Sequence, residues 1–261
     1  LRGLQAEFKD KLVEGQNKKR EREIEQGSLL NRQDIVVDQK EEKKKLLSQT
    51  NNQEKIYQQQ VADLDKKQEE ISKTIETFED QLRTSFDPSL LPIKRPGVFN
   101  FPVIDPVITQ YYGPTKFAER AYRTKIHTGV DFRARVGTPI FAALDGKIVT
   151  VDNNDRGVSR WNRYQYGRYI VIEHDNNLST LYAHLSRTVV KKGDAVQRGA
   201  LIGYSGNSGY TFGPHLHMGL FWTPSIQFRR VPPAQGFVPI GVTIDIKDYL
   251  PPLPIAVTNA M

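Results

Sequence analysis

The stretch Gly213–Trp222 has the sequence GPHLHMGLFW, in which apolar residues alternate with histidine or glycine. This period of two predicts a β-strand, on which successive side chains point to opposite faces. His215 and His217 would then share one face, while Leu216 and Met218 pack on a core from the other. Two neighbouring imidazoles suit a metal site or proton-transfer chemistry, although a surface His-x-His pair is also common.

The five histidines of the chain all follow residue 126, and the earliest, His127, opens the run HTGVDF. Glycine among β-branched residues disfavours a helix there, and in an extended segment His127 and Asp131 would face the same way. Two imidazoles and one carboxylate are ligands of the kind with which zinc keeps a fourth position for water. We therefore expect His127, Asp131 and His217 to bind one Zn²⁺ ion. His184 and His215 remain for proton transfer.

Composition narrows the choice of fold and site. The 261 residues allow one full domain plus an appendage. The chain has no cysteine, so disulfides and thiolate zinc sites are excluded. No apolar run approaches the roughly 20 residues that span a bilayer, and no signal peptide is visible. Because the chain opens on Leu1, we expect a processed or trimmed product whose membrane association, if any, runs through a partner or a missing N-terminus.

The net charge is +7, and the excess of positive charge lies after residue 84. A basic globular part favours polyanions such as cell-wall polymers, lipid head groups or nucleic acid, although a general solubility charge explains it equally well. No signature of a nucleic-acid-binding fold is present, so we expect no nucleic-acid partner.

Residues 1–84 are rich in Lys, Glu, Gln and Asn, and we expect a helical, coiled-coil arm. Apolar residues with one polar break recur at alternating spacings of four and three, which is a heptad seam. The seam consists of Tyr57, Val61, Leu64, Gln68, Ile71, Ile75, Phe78 and Leu82. It predicts a helix over Ile56–Thr84, and Leu1–Gln26 also has helical character. The two helices could fold back on each other, the arm could self-associate or pair with a partner protein, or the first 50 residues could be disordered.

Residues 85–97 contain three prolines and are predicted to be a linker, residues 98–250 an antiparallel β domain, and 251–261 a tail. Phe141–Leu144 and Lys147–Val151 flank Asp145-Gly146, which predicts one hairpin. A second hairpin is predicted where Tyr169–His174 meets Leu178–His184, with His174 solvated at its tip and apart from the other histidines. The predicted fold class is therefore a mainly β domain with a groove, plus a helical arm.

Three motifs now carry a family resemblance: HTGVD at 127–131, YAHL at 182–185 and GPHLH at 213–217. In this order they resemble the lysostaphin/LytM-type zinc endopeptidases, over roughly Phe99 to Leu250. Three further segments match the same pattern: Asp145-Gly146, Lys192–Asp194 and Gly203–Gly209.

The resemblance implies an antiparallel β domain with a groove above the sheet and peptidoglycan peptides as substrate. It also implies that the residues matching His127, Asp131 and His217 bind zinc. Those matching His184 and His215 would serve catalysis. An enzyme acting on peptidoglycan is expected outside the cytoplasm of a bacterium, in the periplasm or cell wall.

Some relatives in this family have lost the metal ligands and activate cell-wall amidases, often through a coiled-coil arm. This chain keeps all five positions, which favours catalysis, while the arm keeps the regulatory alternative open. Met218 and Gly219 replace the aromatic–acidic pair common after the last histidine, but they lie beyond the ligands.

Loops between the predicted strands are candidates for substrate binding. The segment Asp155–Arg168 carries Arg156, Trp161 and Tyr164; arginines suit substrate carboxylates, and aromatic rings suit peptide or sugar. A solvated loop without this role is the alternative. Tyr122, shortly before His127, is a candidate oxyanion donor.

Overall fold

A computed structural model describes residues 18, 36–40, 54–84, 86–87, 89, 91–121, 125–155 and 164–253. The predicted helix over residues 1–26 lies outside these ranges except for position 18. The predicted tail is described only to residue 253.

The structure gives the bounds of two α-helices, α1 (Glu54–Thr84) and α2 (Ala118–Ala121), and of twelve β-strands. Residue 18 and residues 36–40 are helical as well. The strands are β1 (Ile108–Gln110), β2 (Gly129–Phe132), β3 (Pro139–Phe141), β4 (Gly146–Asn153), β5 (Arg168–Glu173), β6 (Leu178–Ala183), β7 (Leu185–Thr188), β8 (Ala195–Val196), β9 (Leu201–Ser205), β10 (Leu216–Trp222), β11 (Gln227–Arg229) and β12 (Val238–Ile240). Short 3₁₀ helices follow at Thr223–Ser225 and Ile246–Tyr249. The mainly β fold class with an N-terminal helix is confirmed.

The large sheet has seven strands in the order β1-β2-β10-β6-β5-β4-β8, and every pair is antiparallel. Strand β10 lies inside it, between β2 and β6. Leu216, Met218 and Leu220 face the main core, as the alternation in β10 predicts. Burying such side chains contributes about 1.5–3 kcal/mol each, which fixes the register of β10 and points His217 to the other face.

The second predicted hairpin is present, because β5 and β6 pair directly on either side of residues 174–177. The first is wrong: β3 pairs with β9, whereas β4 pairs with β5 and β8. Gly146 has no positive φ of the kind that a two-residue hairpin turn requires. Its role is a close approach instead, since a Cβ there would lie 2.3 Å from the carbonyl oxygen of Glu173. The Asp145-Gly146 turn therefore carries the chain from one sheet to the other.

A smaller sheet of three strands, in the order β3-β9-β7, packs beside the large one. The chain passes between the two sheets at His184, because β6 ends at Ala183 and β7 begins at Leu185. His184 has a φ of 61°, the left-handed conformation that non-glycine residues rarely adopt. A sharp corner thus presents one of the predicted catalytic residues.

Helix α1 spans the predicted heptad seam, but the seam packs on the β domain of its own chain. Ile71 is fully buried in a cluster with Tyr164, Val231, Val238 and Ile240. Four more seam residues border this cluster: Leu64, Ile75, Phe78 and Leu82. Within the described part of the chain the seam meets no second helix, so coiled-coil pairing or self-association stays a prediction.

The end of the predicted linker is attached to the β domain. The carbonyl of Pro92 accepts a hydrogen bond of 2.9 Å from the Tyr249 hydroxyl, and Lys94 pairs with Asp248 at 2.7 Å. The 3₁₀ helix Ile246–Tyr249 therefore closes the domain against the chain that enters it.

None of the helices in the described ranges has the length and apolarity needed to cross a membrane.

Candidate metal centre and catalytic histidines

The candidate centre forms where β2 and β10 pair side by side. Their register places His217 directly opposite Asp131. His127 lies just before β2 and is held there by a bridge to Gly113. Strand pairing therefore brings His217 to the same point as His127 and Asp131, which lie four residues apart on one segment far earlier in the sequence.

The three side chains meet through specific atoms. His127 Nε2 lies 3.1 Å and His217 Nδ1 lies 3.0 Å from Asp131 Oδ1. The two ring nitrogens are themselves 3.0 Å apart. All three side chains are buried, with 6% or less of each residue exposed. The predicted convergence of these residues is confirmed.

A backbone carbonyl fixes the tautomer of His127. Its Nδ1 lies 3.0 Å from the carbonyl oxygen of Tyr111, which can only accept, so Nδ1 carries the proton. Nε2 then presents a lone pair to the carboxylate oxygen of Asp131. Two acceptors at 3.1 Å repel each other unless a proton or a metal ion lies between them.

The donor set fits a metal ion. One imidazole nitrogen of each histidine and one oxygen of Asp131 lie within 4.8 Å of one another. Ligands bonded at about 2.0–2.1 Å in tetrahedral geometry would lie about 3.4 Å apart, close to these separations. The other ring nitrogen of His217, Nε2, is buried without a hydrogen-bond partner among the described residues.

The charges of the clustered side chains shift one another's pKa values. Burial alone would raise the pKa of Asp131, but His127, His215 and His217 outweigh it and hold that pKa well below the usual range. Burial alone would lower the pKa of His127, yet the net shift is upward because Asp131 and the Tyr111 carbonyl favour its charged form. The carboxylate is therefore ionised and prepared for a cation.

Gly129 leaves the space that the His217 ring occupies. A Cβ at position 129 would lie 2.6 Å from His217 Cε1 and 2.6 Å from the Met218 carbonyl oxygen. Glycine at the centre of HTGVD is thus required by close packing across the β2–β10 pair.

The two predicted catalytic histidines lie next to each other beside the cluster. The ring centroids of His184 and His215 are 4.6 Å apart, and His215 Nε2 is 3.8 Å from Asp131 Oδ1. His184 Nδ1 donates to the Ser208 carbonyl at 2.8 Å, and His215 Nδ1 donates to the Gly213 carbonyl at 2.8 Å. Both rings therefore keep Nε2 as the basic nitrogen.

Burial and the neighbouring imidazoles of His215 and His217 hold the pKa of His184 well below its ordinary value. His184 is consequently neutral at neutral pH. A neutral imidazole with a defined basic nitrogen can accept a proton.

Two predictions about the histidines and loops need correction. His174 is not solvated at a hairpin tip: it is buried, with Nδ1 donating to the Asp145 carbonyl at 2.8 Å and Nε2 lying 2.8 Å from Thr180 Oγ1. Tyr164 is 1% exposed beneath α1 and so is closed off from substrate in this arrangement. Arg156, Trp161 and Tyr122 lie outside the described residues, and their roles remain predictions.

Two residues that sequence reasoning missed support His184. Ser208 supplies the carbonyl that binds the ring, and the buried Asp155 accepts a hydrogen bond from the next residue, Gly209. Ser208 lies in the segment Gly203–Gly209 that matches the family pattern, and Asp155 begins the segment Asp155–Arg168, but nothing in the sequence singled out either residue. Neither residue is a histidine, and neither belongs to an alternating pattern that predicts a strand.

Comparisons with known proteins agree with this geometry. Residues 125–227 match the profile of a family described as Peptidase family M23. The peptidoglycan DD-endopeptidase ShyA of Vibrio cholerae is 34% identical over 141 residues, which cover 54% of this chain and 30% of the relative. The glycyl-glycine endopeptidase ALE-1 of Staphylococcus capitis is 45% identical over 92 residues, or 35% of this chain and 23% of the relative.

Lysostaphin of Staphylococcus staphylolyticus is 44% identical over 93 residues, which cover 35% of this chain and 18% of the relative. The matched part thus spans less than a third of the length of each of these relatives. Residues 125–227 contain all three motifs on which the resemblance to lysostaphin/LytM-type peptidases rested. The similarity to peptidase family M23 therefore covers the candidate metal centre and both neighbouring histidines.

Proposed function

We propose that this chain is a zinc-dependent endopeptidase that hydrolyses peptide bonds in peptidoglycan cross-links or stem peptides. The observation that carries this proposal is the convergence of lone-pair atoms from His127, Asp131 and His217, which a cation reconciles. Two relatives are named peptidoglycan DD-endopeptidase and glycyl-glycine endopeptidase, which supports a cell-wall peptide as the substrate.

In this proposal His127, Asp131 and His217 hold one Zn²⁺ ion. When bound, zinc would supply Lewis-acid chemistry, polarising the scissile carbonyl and lowering the pKa of a water molecule toward ~7. The Tyr111 carbonyl keeps the ring of His127 in the tautomer that binds the metal, which is the usual role of a partner outside the ligand set.

The remaining chemistry belongs to His184 and His215. His184 accepts a proton from the attacking water at Nε2 and passes it to the leaving amine. His215, whose Nε2 lies 3.8 Å from Asp131 Oδ1, orients the water and stabilises negative charge on the former carbonyl oxygen. No carboxylate other than Asp131 belongs to the metal cluster found among the described residues, which is consistent with histidine acting as the base.

Cleavage of peptidoglycan peptides implies action outside the cytoplasm of a bacterium. The same substrate would explain the positive charge that follows residue 84, because cell-wall polymers are polyanions. These assignments rest on the substrate proposal and share its test.

Helix α1 is proposed to restrain access to the site. Gln68 Oε1 accepts from the backbone N–H of Gln165 at 3.4 Å, and Asp65 accepts from the Tyr210 hydroxyl at 3.0 Å. Tyr166, which borders the seam cluster, has its ring centroid 5.8 Å from that of His217. The helix thus rests on the residues that flank the metal centre.

This restraint can be tested with Ile71→Asp, which places a charge in the buried part of the seam. Burying an unpaired polar group costs about 1–3 kcal/mol, so the contact should weaken and cleavage should rise by about tenfold. Thr74→Asp adds the same charge to an exposed position of the same helix and should leave the rate unchanged. Equal rates for Ile71→Asp and wild type would contradict restraint by α1.

The function itself is tested by zinc quantification together with mass analysis of products from purified peptidoglycan. We expect about one zinc per chain and newly exposed peptide termini. Protein that contains no zinc after zinc-replete purification would overturn the proposal. Stimulation of a separate amidase by a His184→Ala, His215→Ala double variant, with no cleavage by wild type, would indicate the regulatory role instead.

A further inference from the structure

A single peptide unit, between Ser208 and Gly209, links a buried carboxylate to the ring of His184. The carbonyl of this unit accepts from His184 Nδ1 at 2.8 Å. Its N–H donates to both carboxylate oxygens of Asp155, at 3.1 and 3.0 Å. We propose that Asp155 is a positioning residue that acts on His184 through this peptide unit. The inference rests on the proposed function, in which His184 accepts the proton.

The carboxylate is placed for this role by its surroundings. Asp155 is 6% exposed, and besides Gly209 it accepts from the backbone N–H of Tyr164 at 3.0 Å. It therefore ties the end of the segment that follows β4 to the loop that follows β9. Hydrogen bonds to an ionised acceptor are roughly twice as strong as neutral ones, so the link is a firm one.

A carboxylate on the N–H side polarises the amide and concentrates negative charge on its carbonyl oxygen. Hydrogen bonds in such a chain strengthen one another. The Ser208 carbonyl becomes a better acceptor for His184 Nδ1–H, which holds the ring in one orientation and one tautomer. Nε2 then remains the basic nitrogen of the ring, as a carboxylate bonded directly to Nδ1 would also ensure.

The position of the peptide unit is also fixed without Asp155. Ser208 Oγ donates to the Leu185 carbonyl at 2.7 Å and accepts from the backbone N–H of Arg168 at 3.0 Å. The backbones of Gly167 and Gly209 pack so closely that a Cβ on Gly167 would lie 2.2 Å from the Gly209 nitrogen. Asp155 therefore supplies charge to a loop that other contacts already hold, and neutralising it should leave the fold intact.

His215 lacks this arrangement. Its Nδ1 donates to the Gly213 carbonyl, but that carbonyl belongs to the Gly213–Pro214 unit, and proline has no N–H. No carboxylate can reach that unit by a hydrogen bond on its nitrogen. The two neighbouring histidines therefore differ. A carboxylate supports His184 in accepting the proton, whereas His215, which has no such support, orients the water and stabilises negative charge.

The test compares Asp155→Asn with Asp152→Asn in the full, zinc-loaded chain. Asparagine keeps the shape and one acceptor at position 155 but removes the charge. Asp152, near the end of β4 and three residues before Asp155, is the matched control. Its Oδ2 accepts from the backbone N–H of Phe237 at 2.8 Å, and this bond does not link it to a histidine. We expect kcat of Asp155→Asn on peptidoglycan peptides to fall about 10- to 100-fold, the range seen when partners of site residues are removed. Its KM and zinc content should be unchanged, and Asp152→Asn should match wild type.

Imidazole nitrogen NMR provides a readout that a purely structural role would not move. In wild type His184 should carry its proton on Nδ1, and in Asp155→Asn the Nε2–H tautomer should gain population. The wild-type spectrum can be measured even if Asp155→Asn fails to fold. His184 protonated on Nε2 in that spectrum would overturn the inference. A folded Asp155→Asn with wild-type kcat would overturn it as well. Lack of turnover by wild type would count against the proposed function alone, because the tautomer can still be measured.

Discussion

Buried histidines lie at both ends of the large sheet, but their ring nitrogens have different partners. At the Asp145 turn, His174 has both ring nitrogens satisfied, by the Asp145 carbonyl and by Thr180. At the opposite end, one nitrogen of His127 and one of His217 face a shared carboxylate oxygen. Burial of an imidazole therefore says little about function. What marks the site is that lone pairs from separate segments face one another across about 3 Å.

The largest effect should come from removing a ligand at the site end. His217→Ala takes away one of three donors, so we expect loss of the bound zinc and no measurable peptide cleavage. Zinc quantification after dialysis and a cleavage assay measure the two outcomes. The matched variant at the other end, His174→Ala, should retain zinc whenever it folds. Full zinc occupancy in His217→Ala would show that the facing lone pairs do not form the metal centre.

A smaller but still large effect is expected for His184→Ala, which leaves all three ligands in place. Removing a general base typically costs about 10²–10⁴-fold in rate. We expect zinc content equal to that of wild type and kcat reduced by that factor. Zinc loss in this variant would assign His184 to the ligand set instead.

His174, at the turn end of the sheet, should affect the free energy of unfolding rather than the rate of peptide cleavage. Burial is the main reason that the pKa of His174 falls from 6.5 to about 4. Because the folded form binds this proton less readily than the unfolded chain does, stability is lost as pH falls from about 6.5 to about 4. The contribution is about 3 kcal/mol over this interval.

Denaturant unfolding of metal-free protein at pH 7 and pH 4.5 measures this term as a difference between wild type and His174→Asn. The variant should lose less stability on acidification, because it lacks the group that must stay neutral. The carboxylates titrate in both proteins and cancel in the comparison. Equal losses in the two proteins would mean that His174 is protonated in the folded state.

The mildest change should be Gly129→Ala, which tests how closely the site end is packed. The added methyl group would lie 2.6 Å from His217 Cε1, so either the ring or the β2–β10 pair must shift. We expect zinc affinity to weaken by about tenfold, which corresponds to about 1.4 kcal/mol. Gly219→Ala in β10 is the control, because a Cβ there would come no closer than 3.5 Å to any neighbouring atom. An unchanged zinc affinity in Gly129→Ala would show that the site tolerates looser packing than the distances indicate.

The part of the site that follows from strand geometry could be predicted from the sequence. Alternation in β10 places His217 opposite the core, and the extended run before Phe132 brings His127 and Asp131 together. These relations depend on residues that are close along one strand. The register between β2 and β10, which joins the two halves, could not be predicted from the sequence. That the two halves meet was expected only from the types of ligand present and from the resemblance to known peptidases.

Contacts between distant segments could not be predicted. The seam of α1 has the spacing of a coiled coil, but heptad spacing records only that one face is apolar, not which surface covers it. In the structure Tyr164 and Val238 cover it. Asp155 was missed for a similar reason, because its partner is a backbone N–H, and any residue other than proline could supply one.

The corner at His184 has a consequence for how this protein can change. Because its φ is 61°, His184 makes the folded state less stable than glycine at this position would, by about 1 kcal/mol or more. A chain optimised only for thermal stability would therefore have glycine at this corner and would lack the side chain that we propose as the proton acceptor. At this position a substitution that raises stability would remove the proposed catalytic side chain. Stabilising substitutions must therefore be made elsewhere in the chain.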